Sequence, residues 1–109
     1  MILLNVHNAT GSIVVLTSLA AIFWPPARRL VLYLLVLQIV IGFAMWGVTK
    51  LVPPIAHWVL AILSGGVYAM ASVFERRGRP RAVVLATLVA GFVVLAVVFA
   101  IGQHALRAA

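Results

Sequence analysis

The chain has 109 residues, of which 66% are hydrophobic and 8% are charged. This composition excludes a water-soluble globular domain. The formal net charge is +7, but the Lys and Arg residues lie between apolar runs. They therefore indicate orientation in a membrane, and we expect no nucleic-acid partner. Because the sequence contains no cysteine, it also excludes a disulfide, an iron–sulfur cluster and a thiolate metal site.

Four apolar runs are each long enough to cross a bilayer as a helix. The predicted helices cover about residues 2–24, 30–49, 55–74 and 82–103. Pro25 and Pro26 end the first helix, and Pro53 and Pro54 suit the start of the third. Links this short predict antiparallel neighbours. The predicted fold is all-α, a single domain over residues 1–109 that forms an integral membrane up-down four-helix bundle.

Basic residues are divided unequally between the two sides of the predicted bundle. Six fall in the first and third loops, namely Arg28, Arg29, Arg76, Arg77, Arg79 and Arg81. Two fall on the opposite side, namely Lys50 and Arg107. Because loops rich in arginine stay in the cytoplasm, we expect a multi-pass protein of the inner (plasma) membrane with both termini outside.

The sequence contains a single acidic residue, Glu75, which lies in a loop among arginines. Carboxylate chemistry inside the membrane is therefore not expected. The length and the four spans resemble the small multidrug resistance transporters, whose proton coupling depends on a glutamate in the first helix. The first helix here contains no acid, so a small transporter remains an alternative without that mechanism.

Three histidines carry the most information about function. His7 lies early in the first helix and His57 early in the third, which runs in the same direction, so both lie at similar depth on the outer side. Two neutral imidazoles on parallel helices can bind one iron from opposite faces, as in a b-type haem. His104, at the end of the fourth helix, is expected to be an interfacial residue. The alternative for His7 and His57 is the same interfacial role, and Met45 is a candidate replacement ligand.

Small residues lie beside the two proposed ligands. Gly11 follows His7 by one helical turn, and Ala61 follows His57 by one turn. We expect them, with Gly42 on the second helix, to give a haem the space it needs. Packing between helices is the alternative role of such residues.

Two further polar groups have predicted roles at the site or near it. Lys50 and Arg107 are the basic residues on the outer side, and we expect them near the haem propionates. Gln38 lies in the middle of the second helix, where an unpaired amide is costly. We expect it to bond across the bundle to a hydroxyl group, and the candidates are Ser64, Tyr68 and Thr87.

Residues 37–42, Leu-Gln-Ile-Val-Ile-Gly, are followed by residues 54–61, Pro-Ile-Ala-His-Trp-Val-Leu-Ala. These segments resemble one four-helix half of the haem A synthase family, and His7 is similar to the other histidine of that half. The resemblance covers about three of the four helices. It implies a haem held by His7 and His57. The family typically has a glutamate and an arginine where this chain has Leu4 and Asn8, so the resemblance implies the bundle and the haem more than the enzyme.

The leading functional hypothesis is a membrane cytochrome b-like protein that binds haem b and transfers electrons or serves a redox assembly. Membrane lipid is its expected partner, together with a second copy of the chain or a larger redox complex. One alternative is a half-length haem A synthase-like enzyme. Another is a cofactor-free membrane assembly subunit. A reduced-minus-oxidised visible spectrum separates the last class from the first two.

The arginine distribution yields a first test. Single cysteines placed at Gly78 and at Ala109 should respond oppositely to a membrane-impermeant thiol reagent added from outside. Ala109→Cys should react in intact cells, and Gly78→Cys should react only after lysis. If only the cysteine at position 78 reacted from outside, the predicted orientation would be wrong and the protein would lie in the membrane the other way round.

Overall fold

The computed structural model describes residues 2–50 and 52–108, with side chains described as far as Ala105. Within these residues the chain is all-α, as predicted. The four helices are α1 (Ile2–Phe23), α2 (Pro25–Thr49), α3 (Ile55–Arg76) and α4 (Arg81–Ala108). Each of them is long and apolar enough to cross a membrane. The protein is therefore a multi-pass membrane protein of four helices.

The helices form a closed square in which each one packs against two neighbours. Helix α1 contacts α2 and α4, and α3 contacts α2 and α4. The parallel pair α1 and α3 therefore lies across one diagonal, and α2 and α4 lie across the other. The bundle is 44 Å long and about 20 Å wide. A bilayer with its headgroup regions is roughly 40–45 Å thick, so the length of the bundle matches the thickness of a membrane.

Helix α2 begins five residues earlier than the sequence predicted. Pro25 and Pro26 occupy its first two positions instead of separating two helices by a loop. Proline suits these positions because the first backbone N–H groups of a helix have no partner within it. Arg28 and Arg29 are consequently helical. They lie at the same end of the bundle as Arg76 and the loop after α3, here called the arginine end.

A tight turn connects α3 to α4. The N–H of Gly78 donates to the carbonyl of Glu75, and that of Arg79 donates to the carbonyl of Phe74. These bonds complete a Schellman motif, which requires a left-handed residue just after the helix. Gly78 has a φ of 67° and meets that requirement. The turn brings Arg79 back towards the end of the helix that it terminates.

Arg28 ties three helices together at the arginine end. Its Nε donates to the carbonyl of Ala21 at 2.9 Å, and its guanidinium also reaches the carbonyl of Ile22. These carbonyls belong to the last turn of α1, where no helical partner exists for them. The same guanidinium forms an ion pair with Glu75 on α3. One side chain on α2 therefore caps α1 and contacts α3.

The closely packed core lies in the half of the bundle next to the arginine end. Each helix contributes buried residues there, for example Val14, Val31, Tyr68 and Leu88. The buried serines Ser18 and Ser64 donate to the carbonyls of Val15 and Ala61 on their own helices. Such local bonds satisfy a hydroxyl group that has no access to water.

Gly91 on α4 allows the closest packing in this core. A Cβ atom at that position would lie 2.8 Å from two ring carbons of Tyr68. Tyr68 is 2% exposed, so its ring has little space into which it could move. By contrast, a Cβ at Gly66 on α3 would meet nothing within 4 Å. Glycine at position 91 is thus required by the contact between α3 and α4.

We expect Gly91→Ala to destabilise the bundle by roughly 1–3 kcal/mol, because an added methyl group overpacks a full core. Gly66→Ala, the matched control, should be neutral or stabilise by up to about 1 kcal/mol, because alanine favours a helix. Both are measured by denaturant titration of helical circular dichroism in detergent micelles. The double variant Gly91→Ala/Tyr68→Leu should recover part of the loss. Equal stability of the two alanine variants would contradict the proposed contact.

Candidate functional site

The half of the bundle away from the arginine end contains a cavity of about 350 Å³. All four helices line it, and both His7 and His57 face it. Its volume is at the lower end of the range of small-molecule sites, roughly 300–1,000 Å³. We call it the histidine cavity. Its lining extends from the bundle interior to Thr49, Pro53 and Gln103 near the helix ends.

The two predicted ligands lie together in this cavity. The ring centroids of His7 and His57 are 6.3 Å apart, with an angle of 74° between the ring planes. These residues come from α1 and α3, which are diagonal in the square and do not pack against each other. The two imidazoles therefore meet across the interior of the bundle.

The His57 ring is held by a hydrogen bond to the neighbouring helix. Its Nδ1 donates to the carbonyl oxygen of Val98 on α4 at 2.9 Å. A neutral imidazole carries one N–H, so this bond leaves the lone pair on Nε2. Histidines that bind metals commonly have this arrangement. The His7 ring differs, because its Nδ1 is buried without a hydrogen-bond partner in the part of the chain that the structure describes.

A glycine lies against each histidine ring. A Cβ at Gly42 on α2 would lie 3.2 Å from Cε1 of His7, and a Cβ at Gly102 on α4 would lie 2.8 Å from Cε1 of His57. The sequence pointed to Gly42 but did not connect Gly102 with the site. Gly102 is one of several small residues in the predicted helices, and nothing in the sequence distinguishes it from residues that serve packing alone. A Cβ at Gly47, in contrast, would meet nothing within 4 Å.

Gln38 bonds to the adjacent helix α1, and the predicted hydroxyl partners are wrong. Its Nε2 donates to the backbone carbonyl of His7 at 2.7 Å. The hydroxyls of Ser64 and Thr87 donate to carbonyls of their own helices instead. Gly11 makes room for the amide, since a Cβ there would lie 3.1 Å from Nε2 of Gln38. Gln38 therefore fixes the backbone that carries His7.

Aromatic rings form part of the cavity wall between α2 and α3. Phe43 stacks on Trp46 with centroids 6.1 Å apart, and Trp58 lies 6.3 and 6.5 Å from these two rings. All three line the histidine cavity, as does Met45. Trp46 and Trp58 lie near the ends of their helices, and the sequence does not predict this cluster.

The remaining predicted site residues lie in different places. Ala61 lines the histidine cavity. His104 is exposed, and Lys50 is exposed in the left-handed position that ends α2. Neither belongs to the cavity lining. The prediction for Arg107 lies outside the described side chains.

The side chains present limit the kind of metal site that the cavity could hold. In the described part of the chain, no group of three or more His, Asp or Glu residues is arranged to hold a metal ion. A bare ion in the cavity would therefore meet only the two imidazoles of His7 and His57 from this set of residues. A metal that arrives inside a macrocycle needs only axial ligands, and two imidazoles can supply them.

No family model, curated protein or solved structure matches the chain. The resemblance to one half of the haem A synthase family therefore stays a prediction.

Proposed function

We propose that the protein binds one haem b in the histidine cavity, with His7 and His57 as axial ligands, and that it transfers electrons. The observation that carries this proposal is the 6.3 Å separation of the two ring centroids. Two imidazoles bound to one metal through bonds of about 2 Å place their ring centres roughly 6 Å apart. Haem, when bound, supplies one-electron redox chemistry at a potential tuned by its ligands and its burial.

The surroundings of the two histidines support the proposal. The bond from His57 to the Val98 carbonyl favours the tautomer with a free Nε2. Gly42 and Gly102 let the two rings pack directly against the helices that do not carry ligands. Nδ1 of His7 has no hydrogen-bond partner among the described residues, so its lone pair could bind a metal in the cavity.

An electron-transfer role fits the cavity better than a half-length haem A synthase-like enzyme. The single acidic side chain of the sequence, Glu75, is paired with Arg28 at the arginine end. General acid or base work by a carboxylate in the cavity therefore has no candidate. In a cofactor-free assembly subunit, the third class, the histidines would serve packing alone.

The orientation belongs to the same proposal. With the arginine end in the cytoplasm of a cell with an inner membrane, both termini and the histidine cavity lie towards the outer face. Propionates at that depth gain from water or from a nearby cation. Lys50, at the end of α2, and Arg107 are the basic residues of that side. The expected redox partner is thus a protein of the outer face, a second copy of the chain or a larger complex.

We expect His7→Ala and His57→Ala each to abolish the six-coordinate low-spin spectrum, because no carboxylate or thiolate can replace the missing bond. His104→Ala should retain the spectrum. The measurement is the visible spectrum of protein purified after expression with ample haem, oxidised and then reduced with dithionite. Circular dichroism checks that each variant is folded. Met45→Leu should also keep the spectrum, and its loss in this variant would identify methionine as a ligand.

Colourless protein in the parent and in every variant would rule out the haem. Loss of the low-spin spectrum in His104→Ala, with retention in His7→Ala, would mean that the assigned partner of His57 is wrong.

The glycines provide a second test that leaves both ligands in place. We expect Gly102→Ala to weaken haem binding by roughly tenfold, because the new methyl group overlaps the His57 ring. Gly42→Ala should have a smaller effect, since its methyl group would lie farther from the His7 ring. Gly47→Ala, on the same helix, is the matched control and should bind haem like the parent. Haem titration of the apoprotein in micelles gives the affinities, and equal values for all three variants would contradict the assigned cavity.

A further inference from the structure

A second cavity, of about 520 Å³, lies at the arginine end. The end of α1, the start of α2, the end of α3, the following turn and the start of α4 all contribute to it. Its charged lining consists of Arg28, Glu75, Arg79 and Arg81. We call it the arginine cavity. It is separated from the histidine cavity by the buried core around Tyr68, and the two share no lining residue.

The arginine cavity has positive charge that the protein does not neutralise. Three guanidiniums and one carboxylate line it, which leaves a surplus of two positive charges. Glu75 is already paired with Arg28. Arg79 and Arg81 make no side-chain hydrogen bond or ion pair with any described residue. Both of these guanidiniums therefore have their full set of donors available to an anion.

Apolar side chains form the rest of the lining. Ile22 and Phe23 come from the end of α1, and Val84 and Leu85 come from the start of α4. Phe23 is 80% exposed, whereas Ile22 and Leu85 are partly buried and Val84 is buried. A cavity lined by both guanidiniums and apolar side chains matches an amphipathic ligand better than a small hydrated ion.

We propose that the arginine cavity binds the headgroup of an anionic phospholipid, with its phosphate at Arg79 and Arg81 and its acyl chains along Phe23. Phosphate oxygens accept charge-assisted, often bidentate, bonds from guanidinium. Basic pockets between membrane helices are suited to anionic headgroups. A zwitterionic lipid brings its own cation into a cavity that already has surplus positive charge, so the site selects anionic lipid.

The test is lipid binding to the full chain in detergent micelles, measured by native mass spectrometry and by thermal unfolding. The probes are phosphatidylglycerol, phosphatidylcholine and inorganic phosphate. In native mass spectrometry, phosphatidylglycerol should stay bound to the parent protein after the detergent micelle is removed. It should also raise the unfolding temperature of the parent. The variant Arg79→Gln/Arg81→Gln should bind it about thirtyfold more weakly, because each basic residue at an anionic lipid contributes about fivefold.

The matched control is Arg76→Gln/Arg77→Gln, which removes the same charge from the same end outside the cavity lining. This control should keep most of the parent's affinity for phosphatidylglycerol. If the double variant does not fold, the single variant Arg79→Gln replaces it in the test. It should lose affinity for phosphatidylglycerol by about fivefold. Equal losses of affinity in both double variants would mean that general surface charge attracts the lipid, and this would overturn the site. Equal binding of phosphatidylcholine, or full stabilisation by inorganic phosphate alone, would overturn the assignment to an anionic lipid.

Discussion

Hydrocarbon offers no hydrogen-bonding partner to a peptide group or to a polar side chain, and the bundle is organised around that constraint. The four helices satisfy their own backbones. Polar side chains inside the membrane then use backbone carbonyls, which can accept a second bond. Gln38 bonds to a carbonyl of α1, and His57 bonds to a carbonyl of α4. Each bond also links two adjacent helices, α1 with α2 and α3 with α4.

Both helical hairpins, α1–α2 and α3–α4, pack a histidine ring of the first helix against a glycine of the second. In the first hairpin, α1 carries His7 and α2 places Gly42 against its ring. In the second, α3 carries His57 and α4 places Gly102 against its ring. The helices α1 and α3 lie on one diagonal of the square, so their two histidines face each other. The two glycines belong to α2 and α4, which lie on the other diagonal. The histidine cavity lies in one half of the bundle, and the buried core around Tyr68 separates it from the arginine cavity at the other end.

The sequence predicted the four spans, their antiparallel order and the two histidines that face one cavity. These features depend on hydropathy, loop length and position along parallel helices, all of which are visible in a single chain. It did not predict Gly102, the true partner of Gln38 or the bond from Arg28 to the end of α1. Those contacts depend on the rotation of each helix about its axis. In a membrane, the faces towards lipid and towards the core are both apolar, so hydrophobic periodicity carries little information about that rotation.

The position of Arg28 has a consequence for the order of assembly during synthesis. Its bonds to Ala21 and Ile22 lie entirely within the first hairpin, so they can form as soon as that hairpin has entered the membrane. Glu75 is made 47 residues later, at the end of the third helix. Domains and their parts acquire structure from the N-terminus as the ribosome advances. Arg28 can thus close the early hairpin before Glu75 exists, and its remaining donors then form a docking point for the second hairpin.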